Sequence, residues 1–376
     1  MEIKEEGREV NYITFEDSDI LSAINIHPEE VFLFCPRPGK SLNGKDEGLQ
    51  PHFLFIDEVQ HASDPSNFLK YIYDTYGRNL KIVATGSSAF YMDQKFNDSL
   101  SGRKRIFELK TLSFDEWLIF KNLGHMKDEL LKIRKHEKYI STSYREILEL
   151  FNDYLIFGGY PEIAMESDRE EKIMLLKELR DSFLKKDMNE AGISTPDKFY
   201  LFFSVLAGQT GNLLNKNEMA ATIGVDNKTI DKYIHVLQNS FHIELVKPFY
   251  SNIRKELTKM PKVYFKDTGM RNIALNRFFD WRNREDQGAL LENFVYRRLT
   301  EGYDRNAIHF WRTTDKKEID FIVTTSGNKG FAYEAKVSCR KAKQVFKSKF
   351  TEFYPGYTLE IVSYEFGEDC RWVLKI

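Results

Sequence analysis

Cysteine is scarce. Cys35, Cys339 and Cys370 are the only three, they lie far apart in sequence, and no two form a CxxC pair. That argues against a zinc site and fits a reducing, cytoplasmic compartment. Long apolar runs are missing too, so no segment is expected to cross a bilayer and no membrane partner is expected. The start, MEIKEEGREVNYITFED, lacks the positive-then-apolar order of a secretory signal. A net charge of -2 gives no global pull toward nucleic acid, so any such binding needs local basic patches. Internal repeats and low-complexity tracts are absent. What is present is a globular composition, 42% hydrophobic and 30% charged, over 376 residues, enough for two or three domains. Phe and Tyr are abundant, which fits core and sheet packing better than a base-stacking surface.

Three textures follow one another. Residues 1–120 alternate short apolar runs with polar helical stretches. Val10–Phe15, Val31–Cys35, Phe53–Ile56 and Leu80–Thr85 have strand character. The run FLFI reads as a strand buried on both faces of a parallel sheet. Residues 121–210 place apolar residues at helical spacing, interrupted at Phe157-Gly158-Gly159-Tyr160-Pro161. Residues 288–376 return to α/β texture: a helix, three strands, a basic helix and a final strand.

Phe53-Leu54-Phe55-Ile56-Asp57-Glu58 is four apolar residues followed by two carboxylates. A parallel strand ends at the carboxyl edge of its sheet, where ligands bind. Asp57 is then placed to hold hydrated Mg²⁺, and Glu58 to polarise an attacking water. The bland alternative is an ordinary strand ending in a polar turn. The next strand, Lys81–Thr85, runs into Gly86-Ser87-Ser88, where a γ-phosphate sensor would sit. Arg103, after a glycine in a turn, can reach a phosphate as a cationic finger, or can be part of a solvated basic turn.

The order LFIDEVQ, KIVATGSS, LSGR…FELKTLSFDEWL and YLIFGGYPE resembles the archaeal and bacterial AAA-type ATPases that carry a C-terminal DUF4143 region. The resemblance implies a P-loop NTPase core with a helical lid, with ATP as cofactor. It implies Asp57 at the magnesium site, Glu58 as water activator and Ser87 as sensor, with Thr85 beside it. The expected architecture is α/β and multidomain. A truncated AAA-type parallel sheet covers 1–120, a helical lid and linker 121–203, a winged helix 204–280, and a PD-(D/E)xK nuclease-like α/β domain 281–376.

The pattern breaks at the phosphate loop. VNYITFED resembles the segment that follows the loop and its helix in such ATPases, so the first strand, loop and helix are expected to be missing, by truncation or by degeneration. Phe34-Cys35-Pro36-Arg37-Pro38-Gly39-Lys40-Ser41 ends in GKS, but Phe34 holds the first glycine position and two prolines remove backbone donors. It is expected to be a surface insertion.

Within Lys216–Asn239, Ala220, Gly224 and Ile230 have helix-turn-helix spacing, and Asp226 or Asn227 can cap the second helix. Lys228, Thr229 and Lys232 fall near its start, where base and phosphate contacts are made. IELVKPF and KVYFKDT read as wing strands, with Arg254 and Lys255 between them. The alternative is a winged helix used only for protein docking.

In the last domain, Lys317–Val323 and Phe331–Val337 read as paired strands. Alternation puts Phe331, Tyr333, Ala335 and Val337 on one face and Ala332, Glu334 and Lys336 on the other. Asp320 can face Glu334, giving two carboxylates for Mg²⁺ or Mn²⁺, with Lys336 to position water and Glu292 of the preceding helix to join. Glu318 reads as a solvated neighbour. Asp320, Glu334-Ala335-Lys336 and Glu292 resemble the PD-(D/E)xK nuclease fold, followed by a basic helix with Arg340 and Lys341. The bland alternative is an ion-paired surface hairpin. Three functions remain open: ATP-dependent processing of DNA, a non-enzymatic DNA-binding or scaffolding module with relic sites, and a metal-dependent nuclease without ATP use. A homo-oligomer is compatible with each.

Overall fold

The computed structural model describes residues 8–39, 51–86, 100, 102–136, 139–249, 260–313, 317–327, 329–339, 349–366 and 370–376. The chain divides into two units, Met1–Glu108 and Leu109–Ile376. No helix among the described residues is long and apolar enough to cross a membrane.

In the first unit, β1 (Val10–Thr14), α1 (Ser18–Ile26), β2 (His52–Asp57), α2 (Pro65–Tyr76) and β3 (Leu80–Ala84) form a parallel three-stranded sheet, ordered β1-β2-β3, with helices between its strands. Ile13, Phe15, Leu54, Ile56, Phe68, Ile72 and Tyr76 build its core. Local signals set the helices. Asp17 and Asp64 accept backbone N–H groups at the N-termini of α1 and α2, and Pro65 supplies a preset first turn.

Two expectations need correction. Leu54 and Ile56 are buried but Phe53 and Phe55 are only half-buried, so FLFI is not covered on both faces. Val31–Cys35 is no strand. Pro28–Leu33 forms a 3₁₀ turn, because Pro28 fixes the first φ and His27 caps it. The apolar run VFLFC therefore does not lead into Gly39-Lys40-Ser41 as a strand. Lys40 and Ser41 lie outside the described residues.

The second unit contains α3 (Phe114–Phe120), α4 (Gly124–Lys135), α5 (Tyr144–Phe157), α6 (Pro161–Met165), α7 (Arg169–Glu190), α8 (Pro196–Gly208), α9 (Lys216–Ile223) and α10 (Asn227–Asn239). There follow the antiparallel pair β4 (Ile243–Val246) and β5 (Lys262–Phe265), then α11 (Thr268–Leu275) and α12 (Gln287–Gly302). A five-stranded sheet ends the chain: β6 (Ile308–Arg312), β7 (Glu318–Ser326), β8 (Lys329–Lys336), β9 (Tyr357–Ser363) and β10 (Arg371–Trp372), with α13 (Lys349–Phe353) before β9. The spatial order is β10-β9-β8-β7-β6. The sheet has one strand more than expected, because short β10 adds in parallel to β9.

The helices expected as a lid on the first unit belong to the second. Phe114, Trp117, Phe151 and Tyr154 share one core with Phe294, Phe321, Tyr333 and Trp372. Gly158 (φ 79) ends α5 where a Cβ would lie 2.0 Å from Asp267 Oδ1, so only glycine fits. Asp267 binds the N–H of Gly159 (2.9 Å) and pairs with buried Arg297 (3.2 Å), tying this turn to α12. A second core gathers α7–α11 around Phe199, Phe202 and Tyr233. Cys339 and Cys370 are joined as a disulfide, which their sequence separation of 31 concealed, while Cys35 is a free buried thiol.

Candidate functional site

In the first unit, Asp57 ends β2 with both carboxylate oxygens engaged. Tyr12 donates to Oδ2 at 2.9 Å and Thr85, just past β3, donates to Oδ1. Those two hydroxyls, Thr85 foremost, hold the Asp57 carboxyl below its ordinary range. A carboxylate has about four lone-pair positions, so two donors leave room for a cation. Tyr12 was not foreseen, because its register opposite Phe55 emerges only when β1 pairs with β2.

Glu58 adopts φ 52, ψ 46, the left-handed region that non-glycine residues rarely occupy. Its carboxylate accepts from Gln60 and lies 3.8 Å from His61 Nε2, so it is turned toward its own chain neighbours. Arg103 is not brought to Asp57. It pairs with Asp74 at 2.8 Å, near the C-terminal end of α2. In a strand–helix–strand crossover that end of the helix lies at the edge opposite the strand C-termini, which corrects the expected cationic finger. Ser87 lies outside the described residues.

In the second unit, α9 ends at Gly224 (φ 71), and Asp226 caps α10 by accepting the N–H of Thr229 at 2.7 Å. Lys228 is exposed and Thr229 half-buried. Lys232 donates to the Gly192 carbonyl at 3.2 Å, so it is anchored to its own chain. Arg254, Lys255, Arg340 and Lys341 lie outside the described residues.

Among the described residues, a dense charge cluster lies where β5, α12, β7 and β8 meet. The register Phe321↔Tyr333 puts Asp320 across from Glu334, one step further along. Phe331, Tyr333, Ala335 and Val337 join the main core while Ala332 joins a separate one, as period-2 alternation requires. Asp320 Oδ2 accepts the Ala335 N–H at 2.8 Å, and Lys336 Nζ donates to Glu334 Oε1 at 2.6 Å. Asp320 is 8% and Glu334 5% exposed. Glu334 Oε2 is buried without a hydrogen-bond partner. Burial first, then Asp320, raise the Glu334 carboxyl to about 7, and burial likewise raises Asp320.

The residue that sequence reasoning missed is Lys262. It is 1% exposed. Its Nζ lies 2.9 Å from Glu292 Oε1, 2.5 Å from Glu318 Oε1 and 3.7 Å from Asp320 Oδ1. Burial opposes its charge, but Glu292, Asp320 and Glu318 together outweigh burial and hold the ammonium above the usual lysine range. Glu292 also accepts from Tyr264 OH at 2.5 Å, and burial followed by Asp320 raises it to about 7. Glu292 thus faces a lysine and a tyrosine, not an open metal position. Glu318 is no solvated neighbour: it bridges Lys262 and Arg312, the latter at 2.6 Å. Among the described residues, no three His, Cys, Asp or Glu side chains stand ready to hold a metal ion together.

Lys262 reaches the cluster because β5 is pinned on both sides. Asn293 of α12 is fully buried and accepts the N–H of Phe265 at 2.7 Å while donating to its carbonyl at 2.9 Å. Gly211 (φ 79) donates to the Val263 carbonyl at 2.9 Å, and a Cβ there would press on Glu292 Oε2 at 3.0 Å.

Comparison with known proteins matches residues 1–118 to an AAA domain, 148–280 to a domain of unknown function (DUF8612), and 287–371 to a domain of unknown function (DUF4143). The chain is similar to an uncharacterized protein of Methanocaldococcus jannaschii, 26% identical over 319 residues, covering 83% of this chain and 65% of the relative. It is similar to an uncharacterized protein of Haemophilus influenzae, 27% identical over 278 residues, covering 72% and 62%. A third similar protein, from Mycobacterium tuberculosis, is 23% identical over 286 residues, covering 75% and 58%. The chain therefore spans less than two thirds of the length of these relatives. The chain is an α/β multidomain protein whose N-terminal residues match an AAA domain and whose C-terminal residues match DUF4143.

Proposed function

We propose that this chain processes DNA, with a divalent-cation-dependent phosphodiester site at Asp320, Glu334 and Lys336 and an ATP-binding role for the AAA unit at Asp57 and Thr85. The observation that carries the first part is Glu334 Oε2, a buried carboxylate oxygen with no partner beside Asp320. A buried carboxylate oxygen without a hydrogen-bond partner is costly, and a cation bound through oxygen relieves that cost. Asp320 and Glu334 would hold Mg²⁺ or Mn²⁺, which polarises a phosphodiester and acidifies bound water. Lys336, held by Glu334, would orient the phosphate or the water. Lys228 and Thr229 at the start of α10 would meet the DNA backbone. Asp57, ordered by two hydroxyls, supports magnesium-nucleotide binding in the first unit.

A second function, a non-enzymatic DNA-binding or scaffolding module, is favoured by Lys262, whose ammonium already neutralises part of the cluster. Labelled duplex, branched and single-stranded DNA incubated with Mn²⁺ separates the two. Cleavage lost in Glu334→Ala supports the phosphodiester site, and intact DNA on every substrate supports the module. Calorimetry with Mg²⁺ and ATP tests the first unit separately. DNA cleavage without ATP binding would leave a nuclease that does not use ATP.

A further inference from the structure

The carboxylate cluster contains a built-in cation that the sequence pattern does not reveal. We propose that Lys262 competes with a divalent cation for the same carboxylates, so that metal loading requires the Lys262 ammonium to leave Glu318 and Asp320. The inference rests on the phosphodiester site proposed above and adds how that site is governed.

Four carboxylates, Glu292, Glu318, Asp320 and Glu334, face three cations, Lys262, Lys336 and Arg312. Among the described residues, only Lys262 touches carboxylates from both α12 and β7. Lys336 binds Glu334 and Arg312 binds Glu318 from the side. Asp320 is the shared ligand: its Oδ1 faces Lys262, and its Oδ2 is fixed by the Ala335 N–H on the Glu334 strand. A divalent ion bound by Asp320 and Glu334 would sit close to the ammonium, and like charges in a buried site repel strongly. Glu334 Oε2, left without a partner while Lys262 serves the other three carboxylates, fits a site satisfied on one side only.

The position of Lys262 depends on β5, not on the nuclease-like strands. Asn293 and Gly211 clamp the backbone of β5 from α12 and from the turn after α8. A ligand that shifts β5 against α12 would therefore withdraw the ammonium and open the carboxylates. A long lysine stem lets Nζ move by ångströms while the strand stays paired.

Mn²⁺ binding to the full chain, read by the loss of free-Mn²⁺ electron paramagnetic resonance signal, tests this in four proteins. They are wild type, Lys262→Met, Lys262→Met/Glu318→Gln and Lys262→Met/Glu334→Gln. Lys262→Met should bind Mn²⁺ at least about tenfold more tightly than wild type, as expected when one unit charge leaves a partly buried site. Lys262→Met/Glu318→Gln, whose net charge equals that of wild type, should still bind Mn²⁺ more tightly, because no ammonium faces Asp320. Adding Glu334→Gln should cancel the gain. Lys262→Met alone removes the ammonium that offsets Glu292, Glu318 and Asp320, so it should melt lower without metal and regain stability with Mn²⁺. Lys262→Met/Glu318→Gln removes one charge of each sign and keeps the comparison available in a folded protein. If wild type binds Mn²⁺ and this double variant, folded by circular dichroism, binds no better, competition is overturned and the phosphodiester site stands. If no variant binds Mn²⁺, the phosphodiester site falls and the competition with it.

Discussion

Replacing Asn293 should loosen the strand that carries Lys262. Its amide is fully buried and makes two hydrogen bonds to one residue, accepting the Phe265 N–H at 2.7 Å and donating to the Phe265 carbonyl at 2.9 Å. The side chain thus supplies a ladder rung on the edge of β5 that β4 does not cover. In Asn293→Ala both backbone groups lose their partner in a site closed to water. Each such loss costs about 1–3 kcal/mol, so the second unit should lose about 2–6 kcal/mol. The four tryptophans, Trp117, Trp281, Trp311 and Trp372, all lie in the second unit, so their fluorescence during urea unfolding reports that unit alone. The midpoint should fall with an unchanged slope. Asn293→Asp keeps an acceptor for the N–H, loses the donor and buries a charge, so it should be no milder than Asn293→Ala. A loss below about 0.5 kcal/mol in Asn293→Ala, the range of an ordinary surface substitution, would refute this account of how β5 is held.

Asp286 pairs with Arg271 and Arg284, both at 2.8–2.9 Å. Burial alone would raise its carboxyl, but Arg284 and Arg271 outweigh burial and bring it down to about 2. A folded value below the unfolded one contributes stability that is present above about pH 4 and is lost as pH falls toward 2. This amounts to about 2 kcal/mol, and an acid-unfolding series should show that leg missing in Asp286→Asn. Gly158→Ala should destabilise by more than about 3 kcal/mol, because a positive φ and a Cβ 2.0 Å from Asp267 Oδ1 act together; a thermal melt within a degree of wild type would contradict this. Duplex DNA binding should weaken steeply with salt, and Lys228→Glu should weaken it further and flatten the salt slope; a salt-independent affinity would count against DNA as partner.

The sequence made the strand ends legible because their signal is local: four apolar residues and then Asp57-Glu58, or alternation through Phe331–Val337. Gly224 and Asp226 were legible for the same reason, since a left-handed turn and a capping carboxylate act within a few residues. Val31–Cys35 misled because a short apolar run has no period of its own, and Pro28 upstream decided the turn. Lys262 and Glu318 were illegible as partners. Lys262 stands in a segment that reads as an ordinary wing strand, and only the packing of β5 on α12 delivers its ammonium to residues 30–58 positions away. Arg103 had the right residue type and turn, but α2 offered Asp74 at the other edge of the sheet. The helices Gly124–Lys135 and Tyr144–Phe157 are read correctly as helices, yet their periodicity does not say which core they cover, and Phe151 meets Phe294 at 4.7 Å between ring centres.

The central claim is that Asp320 and Glu334 hold a divalent cation. The most direct measurement is the anomalous signal from a crystal of the full chain grown with Mn²⁺. The account predicts one peak between the Asp320 and Glu334 carboxylates, with Lys262 Nζ withdrawn from Glu318. No peak there, with Lys262 still on Glu292 and Glu318, would contradict it.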